Sequence, residues 1–181
     1  METHNGQWTE RFDINGESYR VPSVRATWHN YTAGMYFVTI ATRDHRHYFG
    51  TIHETKTTTT TPTLEMCLSP IGRILKRVID ETPDHYRNAE IPMHVIMPNH
   101  VHLVIALHET SDTAHPKTLG NVVGSIKAAV TRAANVRHIP FGWQARYYDR
   151  IIRNNEEMNE IATYIQHNVA KWAMDKIAPT V

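Results

Sequence analysis

The chain has 181 residues, 41% of them hydrophobic, and a formal net charge of +1 with histidine neutral. That supplies one core and points to one domain with a tail, and the near-zero charge gives no global signal for nucleic acid, although 13 histidines can add positive charge below neutral pH. A single cysteine, Cys67, excludes an internal disulfide and fits a reducing compartment; with no apolar run near about 18 residues and no apolar leader core in METHNGQWTERF, the expectation is a soluble cytoplasmic protein with no membrane span.

Residues 1–33 are polar, with scattered aromatics (Trp8, Phe12, Tyr19, Trp28, Tyr31) and no sustained period. They read as an irregular N-terminal arm that packs a few aromatics or, on the functional reading, contacts a ligand through Arg20, Arg25 and Trp28. GMYFVTIAT, from Gly34 to Thr42, is β-branched and aromatic, so it is the first expected strand. His45 and His47 follow in a charged segment that reads as a solvated loop. Residues 51–63 read as a loop or strand–loop whose threonine run is a connection of low complexity.

Ser69 and Pro70 are an N-cap and a first helical residue. Ile71, Ile74, Leu75, Val78 and Ile79 continue at helical spacing, and Pro83 lies past the end. Ile91–Met97 and Val101–Leu107 are two further strands, joined so tightly through Pro98-Asn99-His100 that an antiparallel hairpin is expected. After a polar loop over 108–117, Leu119, Val122, Val123, Ile126, Val130, Ala133 and Ala134 mark a second helix. Gly124 inside it costs about 1 kcal/mol relative to alanine, for which close packing is the expected reason. Arg146–Arg153 alternates as a fourth strand. Asn154, with Glu157 three residues on, has the spacing of a capping box for a last helix. The buried stripe of that helix is expected to be Met158, Ile161, Ile165, Val169 and Trp172, with fraying after Ala173.

The order β-α-β-β-α-β plus a terminal helix predicts an α+β, ferredoxin-like antiparallel sheet, with two helices on one face and the last helix free to cover the other. The domain is expected over 34–175, with a tail at 176–181. The central stretch is MPNHVHLVI, Met97 to Ile105. Residues i and i+2 of a strand share a face, so His100 and His102 stand side by side while Val101, Leu103 and Ile105 point the other way. Two imidazoles are half of a divalent-metal site. They are equally a pair satisfied by backbone carbonyls, since a chain this rich in histidine yields about one His-x-His by chance. On the last helix Tyr164 and Asn168 are an i, i+4 pair beside the apolar stripe and would border the histidines if that helix crosses the sheet. Tyr164 is then either a packing residue whose hydroxyl meets water or a nucleophile, and a phenol in that role must be activated.

MPNHVHLVI resembles the His-hydrophobe-His signature of the single-tyrosine HUH transposases, specifically the REP-associated tyrosine transposase group. GMYFVTIAT (34–42), LSPIGRI (68–74), LGNVVGSIKAAVTRAAN (119–135), WQARYYDRIIR (143–153) and NNEEMNEIATYIQHNVAKW (154–172) resemble further blocks of that family in its order, so the likeness spans most of 34–172. The resemblance implies His100, His102 and Asn168 as ligands of Mg²⁺ or Mn²⁺. It implies Tyr164 as the nucleophile, carried on the C-terminal helix and ranked above the strand residues Tyr147 and Tyr148. The activity implied is cleavage and rejoining of single-stranded DNA beside a hairpin through a 5′-phosphotyrosine, by a monomer or homodimer. Lys127, Arg132, Arg137, Arg146, Arg150, Arg153 and Arg25 are the candidate phosphate contacts, with Arg20, and Trp143 is a candidate stacking aromatic. Two departures stand out: Val169 where the family usually has proline, and Arg150 where it often has histidine. The alternatives are a non-catalytic binder of DNA hairpins on the same fold, and an unrelated metal hydrolase that activates water.

Overall fold

The computed structural model describes residues 8–12, 18–22, 31–55, 63–109 and 117–177, with side chains described between 31 and 172. The chain divides into two compact units, Met1–Asn30 and Tyr31–Val181.

In the first unit β1 (Trp8–Phe12) and β2 (Ser18–Pro22) pair antiparallel, with Trp8 opposite Pro22 and Arg11 opposite Tyr19. This corrects the expectation of an irregular arm. Arg20 lies within β2, while Arg25 and Trp28 lie outside the described residues.

The second unit is built on a four-stranded antiparallel sheet. Its strands are β3 (Gly34–Ala41), β6 (Ala89–Ile96), β7 (His100–Leu107) and β8 (Tyr148–Ile152), in the order β6-β7-β3-β8. That order, with crossover helices after the first and third of these strands, is the expected split pattern. The stretch expected as a loop or strand–loop holds one strand of a separate hairpin, β4 (Gly50–Thr55), which pairs with β5 (Thr63–Leu68), a strand that was not expected. TLEMCL does alternate: Leu64, Met66 and Leu68 are half-buried, and Thr63, Glu65 and Cys67 are exposed. The threonines beside it masked that period. Gly50 opens β4 at φ 146°, and a Cβ there would lie 2.0 Å from the Cys67 carbonyl oxygen, so only glycine lets the two backbones meet.

Helices α1 (Pro70–Asp80) and α3 (Leu119–Val136) cover one face of the sheet; the short α2 (Thr82–His85) follows α1. The spacing of Ile71, Ile74, Leu75 and Ile79, and of Val122, Val123, Ile126 and Val130, turns their apolar stripes onto Tyr36, Val38, Ile40, Val101, Leu103 and Ile105. The caps behave as their chemistry requires. Ser69 Oγ accepts from Gly72 N at 3.0 Å, and Thr118 and Asn121 form a reciprocal capping box. Gly124 has nothing within 4 Å of a built Cβ, so close packing does not explain it.

The other face is covered by α4 (Asn155–Ile177) through a smaller cluster of Val104, Ile152, Ile161 and Ile165, with Met35, Phe37, Met93, Val95 and Met158 around it. At about 1.5–3 kcal/mol per buried aliphatic side chain, this contact is the weaker of the two layers. Asn154 Oδ1 accepts from Glu157 N at 2.8 Å, but the returning Glu157 carboxylate takes the N–H of Arg153, one residue before the expected box partner. The helix runs past Ala173 to Ile177, so the expected fraying point is not its end. Its stripe also differs: Asn168 is buried, while Val169 and Trp172 are half-buried. No helix among the described residues is long and apolar enough to cross a membrane.

Candidate active site on the sheet face under the last helix

The strict alternation of β7 buries Val101, Leu103 and Ile105 under α1 and α3 and turns His100, His102 and Val104 toward α4. The turn before it is closed by Met97 N donating to His100 O at 2.8 Å. Register then decides the neighbours. His102 stands opposite Thr39 of β3 and Val95 of β6, and His100 stands opposite Ala41. Thr39 is in turn opposite Tyr148 of β8.

The two imidazoles meet at Nε2, 3.0 Å apart, while their Nδ1 atoms are held from behind: His100 by Asn99 Oδ1 at 2.7 Å, His102 by Thr39 Oγ1 at 2.9 Å. Asn99 donates its amide to the His45 carbonyl at 3.1 Å, so its oxygen faces His100 and accepts from Nδ1–H. The Nε2 of a neutral His100 is therefore bare. His102 has two satisfying tautomers. If it is protonated on Nε2, it donates to His100 and the pair is complete. If Nδ1–H donates to Thr39, two bare nitrogens face each other, an arrangement that needs a cation. Burial first, and then the neighbouring His45, pushes the His100 pKa down to about 4. Burial and then His100 push that of His102 down to about 3. Both rings are neutral at pH 7, the form that ligates metal.

The α4 helix brings the remaining groups. Ile161 and Ile165 anchor it on Val104 and Phe37, which places the Tyr164 hydroxyl 3.2 Å from His102 Nε2. The Phe37 ring stacks on His102 and meets Tyr164 edge-on, at centroid distances of 5.2 and 6.0 Å. Tyr164 remains 40% exposed, so its hydroxyl is both held and reachable. Asn168, one turn on, continues the Ile161–Ile165 stripe and is only 6% exposed, an amide in an apolar row where burial favours a polar partner. Among the described residues no group of three or more His, Cys, Asp and Glu is placed to hold a metal. The convergent pair His100 Nε2 and His102 Nε2 is thus the donor set the geometry brings together, with Asn168 buried one helical turn past Tyr164.

The rival tyrosines separate clearly. Tyr147 packs against the core under α1 and α3, on the opposite face. Tyr148 shares the histidine face, but Thr39 stands between it and His102, and it is 58% exposed on the outermost strand.

The expected phosphate contacts scatter. Lys127 Nζ donates to the carbonyls of Gln144 and Arg146, at 2.9 and 3.0 Å, and burial lowers its pKa. Trp143 is not an exposed stacking platform: its ring sits among Phe49 and Phe141, and its Nε1 donates to Lys127 O at 3.0 Å. Both belong to the scaffold that holds the segment before β8. Arg146 is half-buried at φ 67°. Arg150 and Arg153 share Glu157, at 3.3 and 3.7 Å. Arg132 and Arg137 are exposed on α3 and at its C-cap, across the sheet from the histidines.

The sequence reading missed Thr39, Asn99, Phe37 and the position of Trp172, whose ring lies 5.5 Å from that of His100. Thr39 and Phe37 are ordinary strand residues until register sets them beside β7. His45 and His47 are exposed as expected, but they border the site rather than standing apart from it: His47 packs 5.9 Å from Trp172.

No family model matches the chain. A protein of Haemophilus influenzae, itself described only as uncharacterized, is 29% identical over 173 residues, which cover 86% of this chain and 91% of that protein. Among solved structures, a REP-associated tyrosine transposase bound to a REP hairpin superposes with a TM-score of 0.57 at 21% identity, over 81% of this chain and 74% of its own. The antiparallel α+β sheet with its C-terminal helix is therefore a fold that this transposase shares.

Proposed function

We propose that the protein is a DNA strand transferase that cleaves and rejoins single-stranded DNA beside a hairpin, with Tyr164 as its nucleophile. The observation that carries this is the Tyr164 hydroxyl held 3.2 Å from His102 Nε2, on the sheet face where the two imidazoles converge and the Asn168 amide is buried. The fold shared with a transposase bound to a REP hairpin supports the choice of substrate class.

His100, His102 and Asn168 would hold Mg²⁺ or Mn²⁺, and a divalent ion so held supplies Lewis-acid polarisation of a phosphate oxygen. The other tasks fall to the chain itself. Phe37 and Thr39 fix the ring of His102 from two sides. Asn99 fixes the tautomer of His100. Ile161 and Ile165 seat the helix so that the Tyr164 oxygen stands at the edge of the site. That oxygen attacks phosphorus in line; the bond from phosphorus to the 3′-oxygen breaks, the tyrosine loses its proton, and the departing 3′-oxygen gains one. The product is a 5′-phosphotyrosine and a free 3′-hydroxyl. A 3′-hydroxyl from another strand reverses the step, and the conserved bond energy makes ATP unnecessary.

The test is incubation of the full chain and of Tyr164→Phe with Mn²⁺ and single-stranded DNA carrying hairpin ends, read on a denaturing gel. A covalent protein–DNA adduct that disappears in Tyr164→Phe is the expected result. Cleavage without an adduct would indicate a metal hydrolase, and binding without cleavage in both proteins would indicate a DNA-hairpin binder; either would overturn the proposal.

A further inference from the structure

The segment Arg43–His47 is a second basic feature at the site, and the reaction described above does not use it. All five of its residues, Arg43, Asp44, His45, Arg46 and His47, are exposed. It leaves β3 directly after Ala41, the residue opposite His100, so it starts at the histidine end of the sheet. It is nevertheless not a slack loop. Thr42 N donates to Asn99 O at 2.9 Å, Thr42 Oγ1 lies 2.7 Å from Arg46 O and 2.9 Å from Asn99 O, and Arg43 N donates to Gly142 O at 2.9 Å. The Asn99 amide takes the His45 carbonyl, while the oxygen of the same amide holds His100.

This pinning sustains an unusual backbone. Asp44 and His45, neither of them glycine, both lie in the left-handed region, at φ 54° and 50°. L-residues avoid that region, and two in succession persist only where surrounding contacts over-determine them. The result is a rigid rim from Gly142 to Trp172. At one end the Arg43 side chain packs against Gly142, where an added Cβ would be 3.1 Å from its Cζ and Nε. At the other end His47 meets Trp172, whose ring also faces His100.

The two guanidinium groups on this rim, Arg43 and Arg46, carry no ion pair among the described residues, whereas Arg77, Arg150 and Arg153 each pair with a glutamate. Asp44 is the one carboxylate in the segment, against two guanidinium groups and two imidazoles. With no apolar side chain, the rim suits no hydrophobic partner, whereas guanidinium groups fit phosphate oxygens with paired N–H donors.

We propose that Arg43–His47 is a preorganised phosphate-binding rim that holds the backbone of the single strand next to the scissile phosphate, with Arg43 and Arg46 as its two anchors. This rests on the reading of the site as a single-strand DNA enzyme. It replaces the scattered arginines of α3 with a cluster that borders His100. Through Asn99, the same rim positions the His100 imidazole, whose Nε2 meets that of His102.

The test uses the full chain and a fluorescein-labelled oligothymidine, read by anisotropy between about 50 and 200 mM salt. Each phosphate neutralised on a single strand contributes about 0.7 to the slope of log affinity against log salt. Arg43→Gln/Arg46→Gln should therefore lower the slope by about 1.4 and weaken binding at low salt. Arg43→Lys/Arg46→Lys should restore most of the slope, which a folding defect would not allow. Lys76→Gln/Arg77→Gln, an equal change of charge on α1 across the sheet, should leave it within experimental error. Equal slopes for wild type and Arg43→Gln/Arg46→Gln would overturn the proposal, as would an equal loss in the α1 variant, which would make the effect one of total charge. A wild type that fails to bind the oligonucleotide would overturn both the rim and the reading of the site. Loss of slope in the Arg→Gln pair without any Tyr164 adduct would leave the rim standing and remove the strand-transferase reading alone.

Discussion

Lowering the pH should unfold the metal-free protein through the histidine pair, by an amount that follows from the burial of the two rings. In the unfolded chain each imidazole titrates near its ordinary pKa of about 6.5. In the folded protein His100 is pushed down to about 4 and His102 to about 3. The folded pKa values are depressed, so on acidification the unfolded state binds protons first. Stability is fully present above about pH 6.5 and drains away as pH falls toward the folded values. From about pH 7 to pH 5, each ring loses about 2 kcal/mol, or about 4 kcal/mol for the pair. A proton shared across the 3.0 Å Nε2–Nε2 contact would stabilise the singly charged pair and reduce the total toward about 2 kcal/mol. The assay is urea denaturation with a chelator present at both pH values, for wild type and for His100→Gln/His102→Gln. The double variant keeps every other titrating group, so the difference between the two pH dependences isolates the pair. The wild type should lose about 2–4 kcal/mol more than the variant. Parallel losses would refute the claim that the pair is held neutral by burial.

The glycines give a paired prediction. Gly124→Ala, in open space in mid-helix, should stabilise the protein by about 0.5–1 kcal/mol. Gly72→Ala, also helical, should destabilise it by about 1–3 kcal/mol, because its Cβ would lie 2.1 Å from the Phe49 carbonyl oxygen; thermal denaturation reads both. Lys127→Ala should cost about 1–3 kcal/mol of stability, because the carbonyls of Gln144 and Arg146 lose a charged donor. Its salt slope for DNA should equal that of the wild type; a reduced slope at unchanged stability would return Lys127 to the DNA surface. Asn168→Leu should fold at least as well as the wild type, since it completes the Ile161–Ile165 stripe, but should bind Mn²⁺ at least about tenfold more weakly by calorimetry. Unchanged Mn²⁺ affinity would remove Asn168 from the donor set.

Much of the fold was legible because it depends on local periodicity. Period two in GMYFVTIA and HVHLVIAL, period 3.6 in the helices, and the Ser69-Pro70 start are each properties of a short window. The placement of α4 on the face left free by α1 and α3 followed from element order alone. The failures were also local. Threonines concealed the alternation of β5, and a polar composition concealed the pairing of β1 with β2. The polar residues were harder to read. A lysine and a tryptophan that look like DNA contacts in a list of residues turned out to hold a loop and to fill an aromatic cluster.

By itself the sequence determined that His100 and His102 share a face, that Tyr164 and Asn168 share a side of one helix, and that an antiparallel sheet carries the pair, because alternation and helical pitch are geometric consequences of the backbone. Only the tertiary structure decided that Tyr164 meets His102, that Thr39, Phe37 and Asn99 hold the imidazoles, and that Arg43–His47 borders them. Strand register and helix docking join residues about 60 positions apart, such as Thr39 with His102 and His102 with Tyr164. Those contacts are selected by the packing of the whole core, and no window of the chain contains them.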